Sequence, residues 1–331
     1  MNGKRIAMNR ERNAQGGGFY RIFEILILFS ILLSTGCERR ELTYYTEAEI
    51  EIVADWELAG LPDAEKDYGA TAVFYPVEGG KTQVVLMGDR TRKVFRLAEG
   101  RYNVVLFNRS FDDFGAIGFR GTESYATLEA YASKRATRNE VITASPEALA
   151  ADRVEGFEVT AGMLGNGCRL SFTPRKLTKE IAVEVNIKGM NNIRNATCTL
   201  SGIAEGVFLA TGRTSGTTVT QEFELDNPIY DSGSMWDGTM EATFSVFDFD
   251  EQDTHNLHLE ASLVDGKTEY EEDFGQVDVG HQEDGKGGIT VTIEVTTTEP
   301  VPDVPREEGS GSGMGAEVED WGEVEEGVIE I

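Results

Sequence analysis

Apolar and polar residues alternate with a period of two through most of residues 47–296, the period of half-buried β-strands. In EIEIVADW, Ile50, Ile52, Ala54 and Trp56 share one face, while Glu49, Glu51 and Asp55 share the other. Further strands are predicted at ATAVFYPV, TQVVLM, KVFRL and YNVVLFN, with turns at Gly79-Gly80 and Glu99-Gly100. YNVVLFN is apolar on both faces, which predicts a central strand. Over residues 110–161 the alternation weakens. Residues 111–119 read as a loop, and Ser145-Pro146-Glu147 as the start of one or two helical turns, with Ser as N-cap and Pro at the first helical position.

A second series of strands follows. CRLSFTPR places Cys168, Leu170 and Phe172 on one face and ends at Pro174. IAVEVNI turns Ile181, Val183, Val185 and Ile187 inward, and NATCTLSG does the same with Ala196, Cys198 and Leu200. Val219, Phe223 and Leu225 mark another strand, residues 240–249 another, and Leu257, Leu259, Ala261 and Leu263 another before the Asp265-Gly266 turn. ITVTIEV closes the series with Ile289, Val291, Ile293 and Val295 inward. Short alternating elements bounded by Gly, Asn and Asp predict an all-β chain whose sheets bury their apolar faces against each other.

The two ends depart from this pattern. Residues 21–37 run from a basic flank through an apolar stretch, ILILFSILL, to the small residues Ser34, Thr35 and Gly36 and then Cys37. That order is a secretory signal, and the stretch is shorter than the ~20 residues that span a bilayer. Small residues followed directly by Cys resemble the bacterial lipobox, with Ser34 where that motif carries Leu. The likeness implies cleavage before Cys37 and acylation of its thiol, each buried methylene contributing about 0.8 kcal/mol to membrane attachment. The full chain has a formal charge of -28; the first 36 residues hold five basic and two acidic side chains, so their removal takes it to -31. An excess of that sign repels nucleic acid and anionic headgroups, so attachment falls to the acyl chains.

At the other end, TTTEPVPDVP and GSGSGMG read as linkers, followed by the acidic EVEDWGEVEEGVIEI. A pure acidic tail stays solvated. Trp321, Val328, Ile329 and Ile331 offer the alternative of a segment that adds as a strand, to its own sheet edge or to a partner's.

The lipobox with the following ERREL, the turn and strand LAEGRYNVVLFN, the junction FTPRKLTKEIAVEVNIKGMNNIRNATCTLSGIAEGVFLATG and the run VFDFDEQDTHNLHLEASLVDG together resemble fimbrillin-superfamily lipoproteins of Bacteroidetes. Within that superfamily the chain is similar to the FimB-type fimbrial anchor subunits and to an uncharacterised lipoprotein family near them. The resemblance implies two tandem transthyretin-like β-sandwich domains on a lipidated N-terminus, at the outer membrane or cell surface, with subunits joined by strand insertion. On this reading residues 1–36 are a signal peptide, 37–46 a lipidated tether, 47–173 and 174–297 the two domains, and 298–331 the linker and acidic segment. The function implied is that of a fimbrial anchor or tip-like subunit with a structural or adhesive role. The alternative is a surface glycan-binding lipoprotein of a nutrient-uptake system, using an aromatic platform drawn from Tyr44, Tyr45, Tyr68, Tyr75, Tyr125 and Tyr131.

No enzyme chemistry is legible. No G-x-S-x-G turn is present, and GSGSGMG neither follows a strand nor opens a helix, so it is not a dinucleotide loop. His255 and His258 have H-x-x-H spacing, but the strand pattern places His258 outward beside Glu260 and His255 in the preceding turn, which favours a solvated hairpin over a metal site. Asp248-x-Asp250 begins like a calcium loop and fails at its sixth and twelfth positions, Asp253 and Leu259. No cofactor or metal is expected. Cys168 and Cys198 read as two buried small apolar side chains on either side of the domain junction, with a disulfide as the alternative.

Overall fold

The computed structural model describes residues 46–306 apart from 137–140, 165, 250–253, 280 and 284–288. Where the sequence alternates, strands form: β1 (Glu47–Ala54), β2 (Ala70–Pro76), β3 (Gln83–Met87), β4 (Arg92–Ala98) and β5 (Gly100–Asn108). Where it weakens, strands form nonetheless: β6 (Ile117–Arg120), β7 (Glu129–Ala132), β8 (Lys134–Ala136), β9 (Val141–Thr143) and β10 (Ala150–Val159). They are followed by β11 (Gly167–Phe172) and β12 (Arg175–Lys176). β10 hides from periodicity because a register shift between Val154 and Phe157, at Gly156 with φ +67°, changes which residues face inward. Sheets β11-β1-β4 and β12-β10-β5-β2-β3 form the first sandwich around Ile50, Ile52, Phe74, Leu97, Val104 and Leu106.

The helix expected at Ser145-Pro146-Glu147 does not form; residues 144–149 carry no regular secondary structure. The capping groups are engaged elsewhere. Ser145 Oγ accepts the Ser245 N–H at 2.9 Å, and the Glu147 carboxylate accepts Gly115 N–H at 2.6 Å and Ala116 N–H at 3.1 Å. Residues 111–119, expected as a loop, run into β6. Phe111 and Phe119 lie 5.0 and 5.3 Å, centroid to centroid, from Phe107 of β5, and this packing fixes the segment against the sheet.

The second series gives β13 (Lys179–Ile187), β14 (Ile193–Ala204), β15 (Gly206–Phe208), β16 (Arg213–Thr214), β17 (Thr218–Tyr230) and β18 (Gly238–Val246). β19 (Asn256–Leu263), β20 (Glu269–Gln276), β21 (His281–Glu283) and β22 (Ile289–Thr296) complete it. A single path, β20-β19-β14-β17-β18-β13-β22-β21, folds around Ile181, Val183, Cys198, Leu200, Leu257 and Leu259. β17 makes the corner. Its residues up to Leu225 pair with β14, whereas Asp226, Ile229 and Tyr230 pair with β18. β20, EYEEDFGQ, was not legible as a strand because acidic residues occupy half of it and only Tyr270 and Phe274 reach the core. Beyond β22 the proline-bearing segment stays on this core: Val301 is buried, with its N–H 2.8 Å from the Lys188 carbonyl.

A third layer joins the two halves of the chain. The sheet β16-β15-β7-β6 takes β6 and β7 from the first half and β15 and β16 from the second. It covers the outer face of the first sandwich, where Val105 and Phe107 of β5 meet Leu128, Ala130 and Val207. β5 is therefore buried on both faces, as its unbroken apolar run predicts. β9 also crosses over, pairing in parallel with β17 through Ile142 and Thr220.

Candidate functional site

Of the residues singled out from sequence, Cys37, Tyr44, Tyr45, Trp321, Val328, Ile329 and Ile331 lie outside the described residues. What the fold positions is the start of β1 and the sheet edges and faces left open. β1, the first strand of the described residues, is the middle strand of its sheet, paired in parallel with β11 and antiparallel with β4. A pull along β1 therefore loads two ladders of backbone hydrogen bonds together.

β3 is the outer strand of the five-stranded sheet. The third layer stops short of it and leaves Val84 51% and Leu86 58% exposed. Between β3 and the phenylalanine cluster runs an open groove of about 680 Å³, lined by Val73, Val84, Phe111, Phe119 and Lys81. An edge with free backbone groups beside apolar pockets has the form used in strand addition. A second depression, of about 490 Å³, lies on the outer face of β14, β17, β19 and β20, where Glu222, Glu224, Glu260, Glu269 and Glu271 surround Arg135. Among the described residues no group of three or more His, Cys, Asp or Glu is placed to hold a metal.

The histidines lie apart in role. His255 is buried in the turn before β19, its ring 4.9 Å from that of Phe249 and its Nδ1 without a partner. His258 points outward, 3.7 Å from Glu260. Both cysteines are free; Cys198 is in the second core, where burial pushes its thiol up to about 12, and Cys168 is half-buried against the first. Among the described residues, Tyr68, Tyr75, Tyr125 and Tyr131 do not assemble an exposed platform. Tyr75 is buried and Tyr125 and Tyr131 half-buried, while Tyr68 is covered by the Arg109 guanidinium 4.1 Å above its ring.

Sequence reasoning missed two sets of buried charges. Arg109, whose φ of +61° is strained for a non-glycine residue, pairs with buried Glu65, while Asn108 donates to the same carboxylate at 3.2 Å. In the joining layer Arg120 donates to Glu129 at 2.6 Å and to Glu205 at 3.0 Å, and Lys134 reaches Glu205 at 2.6 Å. Burial raises the Glu205 pKa, but the Arg120 and Lys134 hydrogen bonds outweigh it and hold the carboxyl below its usual range. The available signal was a charge inside an apolar run, as in IAEGVFL.

Layered sandwiches and a joining sheet define a β-sandwich protein. The chain belongs to the DUF5119 family, described as a domain of unknown function, which matches residues 36–224. A relative from Bacteroides ovatus, "Putative fimbrium anchoring subunit Fim4B", is 25% identical over 90% of this chain and 95% of its own. The crystal structure of a "putative adhesin", also from Bacteroides ovatus, shares the fold with a TM-score of 0.55 at 18% identity, covering 81% of this chain and 99% of that one. These matches agree with the sequence resemblance to Bacteroidetes fimbrial anchor proteins.

Proposed function

We propose that this protein is a fimbrial anchor or tip-like subunit, lipid-anchored in the outer membrane and structural or adhesive in role. The observation that carries the reading is the match to the Bacteroides ovatus fimbrium anchoring subunit, which runs nearly end to end in both chains. The doubly paired β1 behind the tether suits a subunit that transmits pull from a filament to the membrane. The β3 edge and its groove suit receipt of a partner's strand, and the segment with Trp321, Val328, Ile329 and Ile331 suits donation of one.

Cys37→Ala is expected to move the protein out of the detergent-extracted outer-membrane fraction and release fimbriae into the medium. Mass spectrometry of the wild-type protein is expected to find Cys37 acylated and at the N-terminus. An unmodified Cys37, or residues still attached ahead of it, ends the lipid-anchor reading. Removing residues 317–331 is expected to weaken assembly with fimbrial subunits while circular dichroism stays unchanged. Undiminished assembly of the truncated protein would count against strand donation.

A further inference from the structure

After Leu225, β17 leaves β14 behind and continues as a ribbon paired only with β18. Its tip carries four of the most exposed apolar side chains among the described residues: Ile229 at 55%, Tyr230 at 51%, Met235 at 74% and Trp236 at 59%. Such a concentration of large apolar residues on an acidic surface is the mark of a contact site.

The tip is built and held. The Asp237 carboxylate accepts the Gly189 N–H at 2.9 Å, and Ser234 Oγ accepts the N–H groups of Trp236 at 3.2 Å and Asp237 at 3.0 Å. The Trp236 carbonyl accepts the Asn191 N–H at 3.2 Å, tying the turn to the body of the second sandwich. A loop fixed in this way loses little freedom when it binds.

Three observations select the occupant. Ile229 and Tyr230 are consecutive in a strand and so point to opposite faces, and both are exposed; a ribbon apolar on both sides fits inside a cleft, whereas a flat saccharide platform needs rings on one side. Pro228 has no N–H, Asn227 sits at φ +51°, and the register shifts between Asp226 and Ile229, all of which obstruct addition of a further strand to this edge. Residues 226–241 contain Asp226, Asp231, Asp237 and Glu241 and no Lys or Arg. A second copy, with the same strongly negative charge and a groove whose lining mixes Lys81 with Asp112 and Glu123, is a poor match.

We infer that the β17–β18 tip is a plug that seats in an apolar cleft rimmed by Lys and Arg on a neighbouring fimbrial subunit, a second contact distinct from any strand exchange. This inference rests on the fimbrial reading above. The test uses the detergent-solubilised full chain and, as probe, fimbrial filaments sheared from the bacterium that makes it. Trp236→Ala is expected to weaken binding about 10-fold or more, as for a central aromatic anchor, with Trp236→Phe intermediate. Raising NaCl from about 0.05 to about 0.5 M is expected to weaken the wild type as rim charges are screened. Wild-type binding matched by Trp236→Ala would overturn the plug and leave the fimbrial reading standing. Failure of the wild type to bind filaments would overturn both. Binding to neutral glycans on an array, lost in Trp236→Ala, would reassign the tip to saccharides and overturn the protein cleft.

Discussion

Arg120→Ala is expected to destabilise the protein by about 1–3 kcal/mol, because two nearly buried carboxylates lose charged hydrogen bonds while water at the half-exposed Arg120 position replaces part of them. The Glu129 and Glu205 side chains are 7% and 6% exposed, and Arg120 is the group that reaches both. Without it Glu129 loses its two hydrogen bonds from the guanidinium, at 2.8 and 2.6 Å, and Glu205 keeps Lys134 alone. The cluster sits where β7 pairs with β15, so the loss falls on the seam between the two halves of the chain. Urea unfolding measures the change, and hydrogen exchange of β6, β7 and β15 is expected to rise first. The same cluster predicts an acid sensitivity. Because the folded Glu205 pKa is lowered, its stabilisation is fully present above the unfolded carboxylate value of about 4.3 and is lost as pH falls through the folded value. Arg120→Ala removes the main support of that shift, so the variant is expected to lose stability at a higher pH than the wild type. Equal midpoints in urea would show the cluster to be dispensable.

Glu65→Ala is expected to have a larger effect, about 3–5 kcal/mol, or a fall in Tm of roughly 6–20 °C, because both partners of this pair are buried. The Arg109 and Glu65 side chains are 10% and 6% exposed, and their hydrogen bonds hold the Arg109 charge in place, with its pKa raised first by Glu65. The backbone of Arg109 is strained at φ +61° and is fixed by its N–H on the Gly69 carbonyl at 2.9 Å and by Thr71 Oγ–H on its own carbonyl at 2.8 Å. With Glu65 gone, the guanidinium retains the Asp113 carbonyl at 3.1 Å, the faces of Tyr68 and Phe114 and the Glu147 carboxylate at 3.9 Å, which is too long for a hydrogen bond and is already engaged by the Gly115 and Ala116 N–H groups. Replacing both partners, as Glu65→Leu with Arg109→Met, is expected to recover most of the loss, because no buried charge is left unpaired. A double variant no more stable than Glu65→Ala would contradict that account.

The strands that alternate cleanly were legible because one residue in two must leave water. Ile50 and Ile52, Val183 and Val185, and Leu257 and Leu259 are all fully buried where the pattern places them. The open groove beside β3 was not legible, since it exists only because the third layer ends before that strand. The exposed tip carried no distinguishing signal either: Ile229 and Tyr230 read like any strand end until β17 is seen to pass its partner β14.

The sequence by itself determined the all-β class, most of the core strands and the likeness to fimbrial anchor proteins, because period-two burial and turn residues act locally along the chain. Only the tertiary structure decided the rest. β7 and β9 become strands through distant partners, Ser145 and Glu147 commit their capping groups to other elements, and Glu129 and Glu205 are buried because pairing of β7 with β15 brings them together. In each case the deciding contact lies far away in sequence, where no local pattern records it.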